Sequence, residues 1–409
     1  MTDVLPPVQS LPLKRSSRFD PPDDLKALRE RGPLSRFSYP DGHLGWLVTS
    51  HAAARAVFAD QRFSSRRELQ HFPIPHPFVS GEMPPADPGS FPEMDPPEHT
   101  RYRKLLQGEF TARRLAHLTP RIEKIVADQL DAMEEAGPGA DFVRTFSLTV
   151  PSLVICELLG VPAEDREQFQ ARAHVVAVAS MDSTPEETMA ALGALQEFVH
   201  GLVLARRSAP TDDLLGNLVR SGELTDEELT TIALNLLFAG YGLTVNMLSL
   251  GTFALLENPA QLADLRAEPE LIDNAVEELL RYLTIIHVGP TRTALEDVEL
   301  EGTLIRAGET VTLSLPSANR DEERFERPDE LDFRRQGARS HLSLGHGIHQ
   351  CLGQELARIQ MRVAYPALLR RFPDLRLAVA ADEVPMHDEL AFYGVRELPV
   401  AWGAASGGA

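Results

Sequence analysis

Residues 341–353, HLSLGHGIHQCLG, place one cysteine, Cys351, among three glycines, Gly345, Gly347 and Gly353, with His346 and His349 beside it. So much glycine excludes a helix or strand interior. It marks a loop whose backbone takes unusual angles or presses against something flat. Behind it, from about Gly353 to about Arg371, apolar residues recur at helical spacing. A cysteine at a helix start lies among backbone N–H groups, which favour a thiolate of depressed pKa, ready to bind a metal. The loop alone leaves two other readings open. A single intracellular cysteine is commonly a small buried hydrophobe. His341, His346, His349 and Cys351 also have the donor types of a zinc site. The second cysteine, Cys156, sits in the apolar helical run VICELLG and reads as core.

Three upstream stretches bear on what such a thiolate would serve. His99 and Arg103, in His99-Thr100-Arg101-Tyr102-Arg103, lie four apart at a helix start and share one face. That face suits an anion, although taken by itself it reads more plainly as solvated. Residues 229–256 carry no charge. Their length suits a membrane span, but Asn235, Thr244, Asn246 and several glycines favour a helix buried on all sides. Glu278 and Arg281 form an i,i+3 pair in AVEELLRY, which alone means little.

The positioning elements follow from pattern. Pro21-Pro22-Asp23-Asp24 opens a short helix. Pro40-Asp41-Gly42 predicts a hairpin over 36–50, and His51 to Asp60 a short helix. Periodicity predicts helices near 119–136, 147–159, 163–179 and 184–207. Nine prolines fall between Pro73 and Pro97, interleaved with Phe72, Phe78, Met83, Phe91 and Met94. Helix and central strand are excluded there. The aromatic and methionine residues favour a lid over an apolar ligand, set against a plain packed surface loop. Residues 1–20 read as a flexible leader without an apolar signal or anchor. Residues 404–409 read as a flexible tail, and 21–403 as a single large domain undivided by linker or repeat. The net charge of −20, from 40 Lys+Arg and 60 Asp+Glu, argues against nucleic acid and anionic membranes. Two cysteines cannot build a disulfide framework, which suits a reducing cytoplasm.

Together these residues resemble the soluble bacterial class of the cytochrome P450 superfamily. The cysteine loop is similar to its haem-ligand signature, with Gly345, Gly347, His349, Cys351 and Gly353 in place and Leu344 where that family has an aromatic residue. The resemblance implies a mainly α fold with a small β-rich part. It implies haem b, with Cys351 as the iron ligand and Gly345 and Gly353 beside the cofactor. His99, Arg103, His349 and Arg292, in the segment Thr291-Arg292-Thr293-Ala294, would hold the propionates. Ala239-Gly240-Tyr241-Gly242-Leu243-Thr244 matches the motif of the helix over the haem's distal face, which makes Gly240 and Thr244 catalytic candidates. Two positions depart: Gly242 stands for an acid and Leu243 for the proton-relay threonine. Thr244 lies about 100° further round the helix. Glu278 and Arg281 match the bracing E-x-x-R pair. Glu330 occupies the usual place of the third member, so Arg335 is taken as its substitute. The implied pocket draws on Phe78, Phe91, Ala239, Leu243, Val288 and Phe392.

The implied reaction is oxidation of a small organic molecule, of the secondary-metabolite kind, with O2 and two electrons from a ferredoxin and its reductase. Arg113, Arg114, Arg334, Arg335 and Arg339 would form a basic docking patch. The changes at Gly242 and Leu243 keep a rival open: a haem-thiolate enzyme with peroxide-driven, nitrating, coupling or isomerising chemistry. A non-catalytic haem sensor is a second rival, against which the apolar lid argues.

Overall fold

The computed structural model describes residues 6–75, 83–178, 184–387 and 391–403. Its longest helix, Asp226–Glu257, starts where the sequence provides a reciprocal cap. Thr225 Oγ1 accepts the Glu228 N–H at 3.1 Å, and Glu228 Oε2 accepts the Thr225 N–H at 2.8 Å. Beyond that cap the helix is apolar all round, so it is stable only among other helices. It packs against Thr149–Leu159, Pro185–Ser208 and Gln354–Arg371, and buries Leu237, Leu248, Leu250 and Phe253 completely. This helix and Glu186–Ser208 are long and apolar enough to cross a bilayer; burial inside the helical core accounts for the first. At Gly251 a Cβ would stand 2.0 Å from the Tyr365 hydroxyl, which donates to the Met247 carbonyl at 2.6 Å. Only glycine allows the helix behind the cysteine loop to cross so closely.

The predicted helices are present with shifted ends. The one expected at 119–136 begins at Ala112 and carries Pro120 within it. A π turn, Val143–Ser147, leads into Thr149–Leu159. Among the helices with no counterpart in the sequence reading are Leu214–Ser221 and Pro259–Ala267. Each spans barely two turns, too few for apolar periodicity to show.

The β-rich part is a five-stranded sheet in the order Leu34–Ser38, Leu44–Val48, Thr310–Leu313, Thr291–Ala294, Phe63–Ser64. The first two strands are the predicted hairpin, with Leu34 opposite Val48. From Val8 on, the leading segment, expected above to be flexible, is tied down. Val8 makes a parallel bridge to Phe37, its N–H donating to the Arg36 carbonyl at 2.8 Å, and Arg18 Nη1 donates to the Val384 carbonyl at 2.6 Å. Leu34–Ser38 is an edge strand, and its unpaired backbone groups capture the passing chain.

Candidate functional site

Gly345 and Gly347 both lie in the left-handed region, at φ 70° and 72°. A Cβ on Gly347 would stand 2.3 Å from the Phe58 carbonyl oxygen, so glycine is required there for space as well. The loop closes on itself: Cys351 N–H donates to the Leu344 carbonyl at 2.8 Å, and Gln350 N–H to that of Gly347 at 3.1 Å. Gln354–Arg371 then begins directly behind Cys351. The thiol does not have the depressed pKa expected from its place at a helix start. Burial pushes it up, and this outweighs the Gly353 N–H, Arg103 and Arg358, which pull it down. The local rule is overruled by desolvation, and a positive metal centre at the sulfur is what would restore the thiolate. A cavity of about 370 Å3 adjoins the loop, lined by Arg103, Gln107, Phe110, Arg339, Cys351 and Arg358 among others.

Beside the loop, donors crowd together. The His99 and His349 rings are 4.2 Å apart. Both ring nitrogens of His99 and Nε of Arg103 are buried with no hydrogen-bond partner among the described residues. Arg103 Nη2 donates to the Gln350 carbonyl at 2.5 Å. Arg292, buried in its strand, donates among the described residues only from Nη1 to the carbonyl of adjacent Thr291 at 2.6 Å. Burial lowers Arg292 to about 10, with Asp95 opposing. Burial, with Arg292, His99 and Arg103 nearby, lowers His349 to about 3. Asp95, the carboxylate that acts on His99 and Arg292, is engaged by the Ser64 hydroxyl at 2.5 Å and the Ser65 N–H at 2.8 Å. Buried cations and donors so gathered are costly unless an anion joins them. The set therefore fits a group carrying carboxylates.

His341 does not join a zinc set with Cys351. Its Nε2 binds Glu277 at 3.1 Å and its Nδ1 accepts the Ser343 N–H at 3.1 Å, so both ring nitrogens are taken.

On the long helix, Ala239 is exposed and Gly242 and Leu243 are half-buried. Nothing lies within 4 Å of where a Cβ would stand on Gly242, whereas one on Gly240 would meet Ile155 Cδ1 at 2.6 Å. Thr244 Oγ1 donates to the Gly240 carbonyl at 3.0 Å. Phe392 is 41% exposed on a segment paired with Ile286. Val288 packs against the small cluster of Leu25, Phe37 and Tyr39. Phe91 is buried, its ring 6.5 Å from that of His99. Phe78 lies outside the described residues, as does the middle of the proline-rich stretch, 76–82. Sequence reasoning missed Phe238, whose 36% exposure in the middle of a core helix is unusual for its type.

Glu278, Arg281 and Arg335 meet in the interior. Arg281 Nε and Nη2 bind Glu278 at 2.7 and 2.8 Å, and Arg335 Nε binds it at 2.9 Å. Both arginines then reach main-chain carbonyls: Arg281 those of Asn319, Pro328 and Glu330, Arg335 those of Arg327 and Glu330. This corrects the docking patch, because a buried Arg335 presents no charge outside. Arg334 is likewise engaged by Glu268 at 2.6 Å, and Arg114 by Glu109 at 3.3 Å. Arg339, its side chain 73% exposed, does border the cavity at Cys351.

A family model for cytochrome P450 matches residues 194–390. Cytochrome P450 105C1 from Streptomyces sp is 48% identical over 389 residues, covering 95% of this chain and 97% of that one. The chain belongs to the cytochrome P450 family. Pentalenic acid synthase of Streptomyces avermitilis is similar too, at 44% identity over 405 residues, 98% of this chain and 99% of that one. The P450 fold is equally plain. The solved structure of Streptomyces peucetius CYP105P2, in complex with a biphenyl compound, superposes with a TM-score of 0.90 at 42% identity, covering 97% of this chain and 100% of that one. The protein is thus a P450 monooxygenase of a family that holds haem b.

Proposed function

We propose that this P450 oxidises a small, largely apolar organic molecule of the secondary-metabolite kind, with O2 and two electrons passed from a ferredoxin and its reductase in the cytoplasm. One observation carries the reading. Cys351, on its glycine loop, lies beside buried His99 and Arg292 and half-buried Arg103 and His349, and Asp95, the carboxylate that acts on His99 and Arg292, is already engaged by Ser64 and Ser65. Cys351 would ligate the iron of haem b, the four donors would hold its propionates, and Gly345 and Gly353 would leave it room. When bound, thiolate-ligated haem supplies O2 activation, with the thiolate's electron donation favouring O–O cleavage. The name of pentalenic acid synthase supports a natural-product substrate.

The chain's own residues hold the substrate and exclude water. Phe238, Ala239 and Leu243 offer apolar surface from the long helix, and Phe392 and Val288 from segments beyond it, with Phe91 behind. Proton delivery is unusual. Gly242 has no side chain and Leu243 is apolar. The Thr244 hydroxyl donates to the Gly240 carbonyl, one turn back on its own helix. None of the three offers a proton to a substrate lying against this helix, so a substrate hydroxyl or a substrate-ordered water carries it. The same observation favours a second reading, in which peroxide or another oxidant replaces the proton path.

The first test is a substrate-library screen for a low-to-high-spin absorbance shift. Electrons consumed are then compared with product formed, for a substrate and for its analogue lacking the polar group. Poor coupling with the analogue, improved by Leu243→Thr with Gly242→Glu, supports substrate-borne protons. Tight coupling with both, unaltered by Thr244→Ala, shows that the protein supplies its own relay.

A further inference from the structure

Glu278 has a neighbour with a separate set of partners. Glu277 projects about 100° away around the same helix, Ile272–Leu283. It is 5% exposed and binds Arg358 through both oxygens: Nε to Oε1 at 2.7 Å and Nη2 to Oε2 at 3.1 Å. Its Oε2 also accepts the Nε2–H of His341 at 3.1 Å. His341 opens the cysteine loop, and Arg358 lies in the first turns of the helix that leaves it. One carboxylate thus ties both ends of the loop to a third element. Arg358 is further held through Nη1 by Gln354 Oε1 at 3.0 Å. It is buried, yet it borders the same cavity as Cys351.

A clamp for the loop would not require charge. Buried ion pairs are commonly replaceable by packed apolar residues without loss of stability. A guanidinium, however, keeps its charge at any accessible pH, and a bidentate carboxylate fixes its plane and position. Glu277 remains ionised: burial raises its pKa, but His341 and Arg358 hold it at about 2. The consequence is a permanent, partly neutralised cation at a fixed place beside the thiolate.

We propose that Glu277 and Arg358 are positioning residues that set the electron-donating strength of the Cys351 thiolate, and with it the reduction potential of the haem it holds. This rests on reading Cys351 as the haem ligand. Adding an electron to the iron adds negative charge, which a nearby cation favours and a nearby anion disfavours.

The test is potentiometry of the haem-loaded protein and its variants, alongside their ferrous–CO spectra. Arg358→Gln and Arg358→Met should favour the oxidised state by about tenfold, a fall of about 59 mV. Glu277→Gln, which leaves the cation uncompensated, should shift it the opposite way. Arg358→Lys should stay near the parent. A flat potential across the series, or Lys shifting together with Gln and Met, overturns the proposal. If neither neutral variant retains haem while Arg358→Lys does, the requirement for charge is shown by retention; equal loss in all three overturns it. A parent protein lacking the red-shifted ferrous–CO band sinks the haem-thiolate reading itself. A normal band with a flat series sinks this inference alone.

Discussion

His99 is nearly inaccessible to solvent and has neither ring nitrogen bonded among the described residues. A lone imidazole so placed costs stability unless a ligand completes it. Charged hydrogen bonds contribute about 1.5–3 kcal/mol each. Arg103→Ala combined with Arg292→Ala should therefore speed haem transfer to apomyoglobin by roughly a hundredfold or more; unchanged transfer would place the propionates elsewhere. Cys351→Ala should abolish the red-shifted absorbance of the reduced, CO-bound protein, leaving a spectrum without thiolate ligation. Individual residues were unequally legible. Gly345, Gly347 and Cys351 announce a strained loop directly, because only glycine takes those angles and approaches cheaply. Arg292 and Arg335 could be picked out only through a family resemblance. The Glu277–Arg358 pair joins residues 81 apart, and no local pattern encodes such a contact. The Cys351 pKa was misjudged because a helix start is a local feature and burial is not.

Among the elements, the long helix carries the clearest consequences. Its capping Glu228 also accepts Arg101 Nη1 at 2.6 Å and the Tyr102 hydroxyl at 2.7 Å, both from the helix Glu98–Gln107 that bears His99 and Arg103. Burial raises the Glu228 pKa, but Arg101, the Thr225 N–H and Tyr102 together hold it at about 2, against an ordinary 4.5. Between those values the unfolded chain binds the proton and the folded one does not. The stabilisation is therefore complete above about 4.5 and is lost as pH falls towards 2. Glu228→Gln should cost about 1.5–3 kcal/mol at neutral pH and flatten that acid dependence, as read from urea midpoints across pH. Gly242 lies mid-helix with open space around it. Gly242→Ala should stabilise the fold by up to about 1 kcal/mol; a lower urea midpoint would mean that the space is filled. Thr225-x-x-Glu228 before an apolar run has the pattern of a helix start, which the sequence reading above passed over. Its link to a second helix was not, since Arg101 lies more than a hundred residues earlier.

At the scale of the whole molecule, Arg281 and Arg335 secure the stretch from Asn319 to Glu330 by its carbonyl oxygens, while the side chains of Glu326, Arg327 and Glu330 remain exposed. A carbonyl is present whatever residue supplies it. The side chains at 326, 327 and 330 are therefore free to drift while the shape of the stretch is retained, which explains how Glu330 can stand where the family pattern has an arginine. Saturation substitution should find positions 326, 327 and 330 permissive in haem content and yield of folded protein. Arg327, at φ 46°, should accept glycine with no loss. Positions 278, 281 and 335 should tolerate almost nothing. Evolution can then rewrite the exposed face of this stretch without disturbing the buried Glu278–Arg281–Arg335 scaffold.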